Sequence, residues 1–250
     1  MRLDLCTWLE VETYLERSNG IIIPVGSNEQ HGPIGLIGTD AFCATAVAEQ
    51  MAEIAEALIA PALCYTPAPF NMSFPGTISI SEETFKALTG EIVEGLISQG
   101  FGKIYFLNGH GANLAPLNEL ASSIDDGQRA NIRIRSWWDF DEVNLLRREH
   151  YGDWEGMHAT PSEVAITQAT HRIVENPSAD APPKKLSAEY IKEHAGDRHG
   201  PPDQHRAEFP DGRVGSHSAL ATPEQGQALL DAAALAAAND YQQWLVKPIS

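Results

Sequence analysis

The feature that most constrains the fold is an order that recurs along the chain: a short apolar run, a polar loop containing glycine, and then a helical pattern. Ile21 to Ile23 is a β-branched run typical of a strand buried on both faces, and a helical pattern takes over at Asp40. Lys103 to Leu107 is another such strand, and it is followed by the loop Asn108 to Asn113 and a further helix. This alternation predicts an α/β fold with a mostly parallel sheet covered by helices on both faces.

With 250 residues and 43% hydrophobic content, we expect one domain over residues 1–250, two small domains being the alternative. Residues 174–213 are rich in Pro, Asp, Gly and His with little periodicity, which indicates a long excursion that could form a subunit contact. Periodicity and capping residues predict the remaining elements, in chain order: a short helix before Gly20, a helix from Ala41 to Ala60, a strand from Ala62 to Tyr65, a helix from Ser81 to Gly100, a helix from Leu114 to about Ile124, a strand from Ile132 to Trp138, and helices from Pro161 to His171 and from Thr222 to about Trp244.

Charge and cysteine usage exclude several classes of partner and site. The formal net charge of −17, without a cluster of Lys and Arg, argues against nucleic acid and anionic membranes as partners. The chain has no apolar run near the length of a membrane span and no signal-peptide pattern, so we expect a cytoplasmic protein. Cys6, Cys43 and Cys64 are an odd number without a C-x-x-C pair, which argues against disulfides and against a thiolate zinc site.

Potential metal ligands follow two of the predicted strands. Glu29, His31 and Asp40 lie in the loop after the first strand, and His110 lies just past the strand that ends at Leu107. Parallel strands bring their carboxyl ends to one edge of the sheet, where ligands bind. These nitrogen and oxygen ligands suit Zn²⁺, Mn²⁺ or Fe²⁺, and a bridging carboxylate would permit two ions. Two ions about 3.5 Å apart can activate a shared water and polarise a substrate carbonyl.

Each of these residues also has an ordinary explanation. A surface Glu is usually solvated, a lone His is often structural, and Asp40 lies where a helix favours Asp in its first turn. The loop Asn108 to Asn113 could instead be a glycine turn that lets a helix N-terminus face a phosphate. That loop lacks a third glycine and a clear acidic partner after the next strand, so the metal interpretation is stronger.

Three spaced motifs together resemble one protein family. They are PVGSNEQHGP with GTD, NGHGAN, and His158-Ala159 followed by Glu163, and GSHSALATPEQGQALL near the end extends the likeness over almost the whole chain. The chain resembles the creatininase (creatinine amidohydrolase) family of binuclear metal hydrolases. The resemblance implies a single α/β domain and two divalent ions per subunit, with Zn²⁺ favoured over Mn²⁺ or Fe²⁺. It also implies hydrolysis of a C–N bond in a small cyclic or non-peptide amide, and commonly a hexamer.

The resemblance assigns roles to individual residues. Glu29, His31, Asp40 and His110 match the family's metal ligands, with Asp40 as the bridge, and His158 matches the catalytic histidine. Trp138 and Trp154 match aromatic positions that enclose the substrate in creatininase, although core or interface packing would also explain them. We therefore expect a metal-bound hydroxide to attack the amide carbonyl and His158 to pass a proton to the departing nitrogen.

The chain departs from creatininase in the loop after its third predicted strand. It has His110-Gly111-Ala112-Asn113 where creatininase has His-Tyr-Glu-Asn, so a metal-binding carboxylate is missing and the substrate pocket at Gly111 should be more open. We predict that Glu163 replaces this carboxylate, while Thr160 to Glu163 also fits a helix capping box. Family members with the glycine-rich form act on formamides, on peptides or on ring compounds of sugar metabolism, and a non-catalytic metal-binding scaffold is a further alternative.

Overall fold

In the computed structural model, which describes residues 1–125 and 130–246, the central element is a sheet whose strand pairings are all parallel. Within these ranges the strands are β1 (Gly20–Val25), β2 (Leu58–Ile59), β3 (Lys103–Asn108) and β4 (Asn131–Ser136). Their order in the sheet is β2-β1-β3-β4. The expected α/β fold class is confirmed.

Helices cover both faces of the sheet. No helix in the described part of the chain is both long and apolar enough to cross a membrane. In chain order the helices are α1 (Trp8–Leu15), α2 (Thr39–Ile54), α3 (Glu82–Ser98), α4 (Leu114–Asp125), α5 (Asp141–Tyr151), α6 (Pro161–Thr170), α7 (Ala188–Glu193), α8 (Pro202–Glu208) and α9 (Pro223–Leu245).

The alternation of side chains along β1 explains the two-sided core. Ile22 joins a buried cluster with residues of α2 and α9 on one face of the sheet. Ile21 and Ile23 point the other way and pack with residues of α1, α3 and α4. Because both faces are covered, every residue of β1 is buried, as the apolar run predicts.

The sequence prediction is wrong around residues 55–65. The helix predicted to reach Ala60 ends at Ile54, because Glu56 adopts a positive φ of 51° that a helix cannot accommodate. Strand β2 at Leu58–Ile59 then pairs with β1, whereas the strand predicted over Ala62 to Tyr65 is reduced to one bridge between Leu63 and Val25. Apolar residues continue the helical period past the true helix end, so periodicity alone does not detect it.

The excursion over residues 174–213 folds back on its own chain. Helix α8 packs against the turn Pro69–Asn71, where Phe70 contacts the His205 ring at a centroid distance of 5.1 Å. Ser73 Oγ also donates a hydrogen bond to Asp203 Oδ1 at 2.6 Å. These contacts place residues 196 and 197 beside the loop that follows β3.

Candidate metal centre and substrate cavity

The sheet register brings the two predicted ligand loops together. Strands β1 and β3 are neighbours, and Val25 at the end of β1 pairs with Asn108 at the end of β3. At Gly26 an added β-carbon would lie 2.3 Å from the backbone nitrogen of Ala41, so only glycine lets the start of α2 approach this edge. That approach carries Asp40, in the first turn of α2, to the carboxyl ends of both strands.

Glu29, Asp40 and His110 form the first group of converging ligand atoms. The Nδ1 atom of His110 lies 3.1 Å from Glu29 Oε1 and 3.1 Å from Asp40 Oδ2. All three side chains are buried. Two ligand atoms bound to one ion at about 2.1 Å are separated by roughly 3 to 3.4 Å, so these spacings fit one divalent ion.

A second group shares Asp40 with the first. His31 Nε2 lies 2.9 Å from Asp40 Oδ1 and 3.7 Å from Glu163 Oε1. Within each group the ligand atoms lie within 4.8 Å of one another. Because the two oxygens of Asp40 face different groups, Asp40 has the geometry of a carboxylate that bridges two ions.

Backbone carbonyls orient both histidines of these groups. His110 Nε2 lies 2.8 Å from the carbonyl oxygen of Pro67, and His31 Nδ1 lies 3.1 Å from that of Glu29. Each ring thus donates one N–H to the backbone and directs its other nitrogen at the carboxylates. This arrangement is common around metal-bound histidines, because the outer hydrogen bond fixes the tautomer and the ring orientation.

Neighbouring side chains hold the carboxylates, and one oxygen of Glu29 is left without a hydrogen-bond donor. Asn71 Nδ2 donates to Glu29 Oε2 at 2.8 Å, and Ser27 Oγ donates to Asp40 Oδ2 at 2.8 Å. The other oxygen of Glu29, Oε1, is buried and accepts no hydrogen bond, although His110 Nδ1 is near. An unsatisfied buried carboxylate oxygen is costly, and a cation would satisfy it. The donor set and this free oxygen therefore fit divalent metal ions.

The protonation of the metal-free centre also fits a site for divalent metal ions. Burial lowers the pKa of His31, but Asp40, Glu163 and Glu29 more than offset this and raise it to about 10. Burial raises the pKa of Glu163 to about 8, with His31 opposing the rise. Without metal, the crowded carboxylates keep protons on their neighbours, and divalent ions would displace those protons.

Glu163 forms the helix cap that the sequence allows, and its carboxylate also faces the second ligand group. Its Oε1 accepts a hydrogen bond from Thr160 N at 2.5 Å, and its own N–H donates to Thr160 Oγ1 at 3.2 Å, which completes a capping box at α6. The same Oε1 is the atom that lies 3.7 Å from His31 Nε2. The cap therefore orients this carboxylate toward the second ligand group.

His158 lies beside the first group, with one nitrogen tied to the backbone. Its Nε2 lies 2.7 Å from the carbonyl oxygen of Gln30, and its Nδ1 lies 3.7 Å from Glu29 Oε1. Burial, together with the neighbouring His31, lowers the pKa of His158 well below its usual value. The ring is therefore neutral in the metal-free protein, and because Nε2 donates to the carbonyl of Gln30, Nδ1 carries the ring's lone pair.

A cavity of about 180 Å³ opens above this centre. Trp138 and Gly111, both predicted to bind substrate, line it together with Trp137 and Arg147. Trp154 is not among the lining residues in the described part of the chain. Its ring contacts His217 at a centroid distance of 5.7 Å, and Lys185 Nζ lies 4.6 Å from its centre.

Three residues near the centre were not predicted from the sequence. Asn71 holds Glu29, and the side chain of Gln30 donates to Asn71 Oδ1 at 2.9 Å. Asp197 enters the cavity from the excursion, with Oδ2 3.6 Å from His110 Nδ1. No sequence signal marks Asp197.

Comparison with known proteins identifies the family. The family model for creatinine amidohydrolase matches residues 4–240 of the chain. The chain belongs to the creatininase family. A solved creatininase structure superimposes with a TM-score of 0.76 over 99% of this chain and 98% of that one, at 22% identity. A manganese form of creatininase superimposes with a TM-score of 0.76 over 98% of this chain and 99% of that one, at 22% identity. A mutant Zn-Zn form superimposes with a TM-score of 0.75 over 98% of both chains, also at 22% identity.

Relatives within the family carry different names. The creatinine amidohydrolase of Pseudomonas putida is 29% identical over 204 residues, which are 71% of this chain and 77% of that protein. The 3-dehydro-scyllo-inosose hydrolase of Thermotoga maritima is 36% identical over 106 residues, covering 42% of this chain and 34% of that protein. The mycofactocin precursor peptide peptidase of Mycolicibacterium smegmatis is 38% identical over 103 residues, covering 39% of this chain and 41% of that protein. The chain is thus a creatininase-family hydrolase whose substrate the family alone does not define.

Proposed function

We propose that the protein is a binuclear metal hydrolase that cleaves a C–N bond in a small cyclic or non-peptide amide. The observation that carries this proposal is a pair of ligand groups that share Asp40 at the base of a cavity of about 180 Å³. Glu29, Asp40 and His110 would hold one ion, and His31, Asp40 and Glu163 the other. Two divalent ions supply Lewis acidity that activates water near neutral pH and polarises a carbonyl. Zn²⁺ is the favoured metal and Mn²⁺ or Fe²⁺ the alternatives, because the ligands are nitrogen and oxygen atoms only.

His158 supplies the proton transfer that amide hydrolysis requires. In the reaction the oxygen of water bonds to the carbonyl carbon, the C–N bond breaks, and a proton from that water ends on the departing nitrogen. Amide nitrogen is a poor leaving group until it is protonated. Nδ1 of His158 is the free ring nitrogen on the side of Glu29 and can carry this proton, while Nε2 remains bonded to the Gln30 carbonyl.

The size of the cavity favours a compact substrate over an extended peptide. Sites for drug-sized ligands usually enclose about 300 to 1,000 Å³, so this cavity suits a smaller molecule. The indole of Trp138 in its wall can stack on a flat ring. Peptides and sugar-derived rings remain second candidates, because relatives named as a peptide peptidase and as an inosose hydrolase match parts of this chain.

A hydrolysis panel tests the proposal. Metal-loaded protein would be assayed with creatinine, other cyclic amides, formamides and short peptides, with and without a chelator. We expect turnover of at least one small amide that stops on chelation and returns with metal. Cleavage of peptides alone would contradict the small-amide assignment, and hydrolysis unaffected by chelation would contradict the metal mechanism.

A further inference from the structure

Asp197 is an acidic side chain in the cavity that neither ligand group uses. It lies in the excursion, its side chain is only 12% exposed, and Oδ2 is 3.6 Å from His110 Nδ1. In the described part of the chain, the groups whose ligand atoms converge do not include it. Asp197 therefore lies beside the metal positions, with its carboxylate on the side of the cavity.

Gly111 provides the space for this carboxylate. A β-carbon added at Gly111 would lie 2.3 Å from Asp197 Oδ2 and 2.9 Å from its Cγ. Any side chain at position 111 would compete with Asp197 for the same volume. The sequence predicts that Gly111 opens the pocket, but the space it leaves is filled by an acidic group from a distant part of the chain.

The backbone around Asp197 is held in an uncommon conformation. Asp197 has a φ of 56°, in the left-handed region that asparagine and aspartate tolerate better than most residues. His199 N donates to the Asp197 carbonyl at 3.0 Å, and Arg198 N donates to that of His194 at 3.3 Å. Behind the carboxylate, His199 Nε2 lies 3.9 Å from Oδ1. Such strain is kept where the surroundings determine it, and it often marks functional positions.

We propose that Asp197 determines substrate specificity, an inference that rests on the proposed function. Its carboxylate accepts a hydrogen bond from an N–H or O–H group of the substrate and repels anions. Two divalent ions would carry four positive charges against the three ligand carboxylates of Glu29, Asp40 and Glu163, and a centre with excess positive charge attracts anions. Asp197 adds a fourth negative charge at the cavity wall. The site therefore selects neutral or cationic substrates that present a hydrogen-bond donor.

Probe binding to cobalt-substituted protein tests this role without requiring turnover. The perturbation is Asp197→Asn, because asparagine keeps the shape and tolerates the positive φ while it removes the charge. The matched control is Asp180→Asn, an exposed aspartate in the same excursion. Azide affinity would be followed through the cobalt absorption spectrum, and methylguanidinium affinity by calorimetry.

We expect Asp197→Asn to bind azide at least about tenfold more tightly and methylguanidinium at least about tenfold more weakly, with cobalt content unchanged. Asp180→Asn should match the wild type. Gly111→Ala, whose methyl group would displace the carboxylate, should shift azide affinity in the same direction as Asp197→Asn.

Each other outcome overturns a defined part of the account. An unchanged affinity of Asp197→Asn for either probe, with cobalt bound, refutes the role of Asp197 and leaves the metal centre intact. Loss of cobalt from Asp197→Asn would make Asp197 a metal ligand and refute its assignment to the substrate. A wild-type protein that takes up no cobalt would refute the proposed function and, with it, this inference.

Discussion

Glu163→Gln separates the metal role of Glu163 from its capping role, because the substitution keeps one and removes the other. Glutamine retains an oxygen that accepts the Thr160 N–H, now at 2.5 Å, but it has no negative charge to offer a metal ion. The chain already contains a glutamine in this capping position: Gln225 Oε1 accepts from Thr222 N at 3.1 Å at the start of α9. Loss of the cap is therefore not expected.

The capping role and the metal role of Glu163 predict free-energy changes of different size. Even complete loss of a cap costs about 1 kcal/mol, which shifts Tm by roughly 2 to 4 °C in a chain of this size. We expect a smaller Tm shift for metal-free Glu163→Gln, because glutamine keeps the cap. The substitution also removes a buried carboxylate beside Asp40. Loss of a charged ligand should weaken the second ion at least tenfold, or by about 1.4 kcal/mol. Binding should fall from two ions toward one, because Glu29, Asp40 and His110 remain.

Equilibrium dialysis with elemental analysis measures the number and affinity of the bound ions. Differential scanning calorimetry of metal-free protein measures the Tm, which reports on the cap. Glu10→Gln is the matched control, since Glu10 forms an exposed capping box with Thr7, whose N–H donates to Glu10 Oε2 at 2.7 Å. It should leave metal binding unchanged. If Glu163→Gln binds two ions with wild-type affinity and keeps full activity, Glu163 is only a cap and the second ligand group is wrong.

Three further predictions concern turnover, pH and assembly. His158→Ala should lower kcat by about a hundredfold or more while metal content stays unchanged, and full turnover measured in steady-state assays would show that His158 is not the proton carrier. Folding raises the pKa of His31 to about 10 and that of Glu163 to about 8, so the stabilisation they provide is greatest at low pH and is lost as pH rises. The Tm of metal-free protein should therefore fall between about pH 7 and pH 10, and a Tm that rises over this range would contradict the assigned shifts. Light scattering should find a homo-oligomer, for which the resemblance implies a hexamer, and a strict monomer at micromolar concentration would refute it.

Local sequence patterns were sufficient where a residue's surroundings are set by its near neighbours. The β-branched run at Ile21 to Ile23 and the apolar run ending at Leu107 have few conformations open to them other than buried strands. Once these strands are parallel neighbours, the loops after them must meet, which is why Glu29, Asp40 and His110 could be grouped from the sequence. Helix caps were equally local, as Ser81 shows by accepting the Thr84 N–H at 3.2 Å.

Features that depend on long-range contacts were not predictable in this way. The end of α2 is set by the turn at Glu56 and by the pairing of β2 with β1, and an alanine-rich sequence does not encode either one locally. Asp197 reaches the cavity from a distant segment, whose helix α8 packs against the turn around Phe70. Asn71 and Gln30 likewise act through partners far along the chain. Such contacts leave no periodicity to detect.

The central proposal is that two divalent ions would share Asp40 as a ligand, and metal stoichiometry tests it most directly. Purified protein would be stripped with chelator, reconstituted separately with Zn²⁺ and Mn²⁺, dialysed, and analysed for bound metal beside Asp40→Asn. The account predicts two ions per chain for the wild type and a loss of both high-affinity sites in the variant, because both groups contain Asp40. Fewer than about 0.2 equivalents in the wild type, or two tightly bound ions in Asp40→Asn, would contradict it.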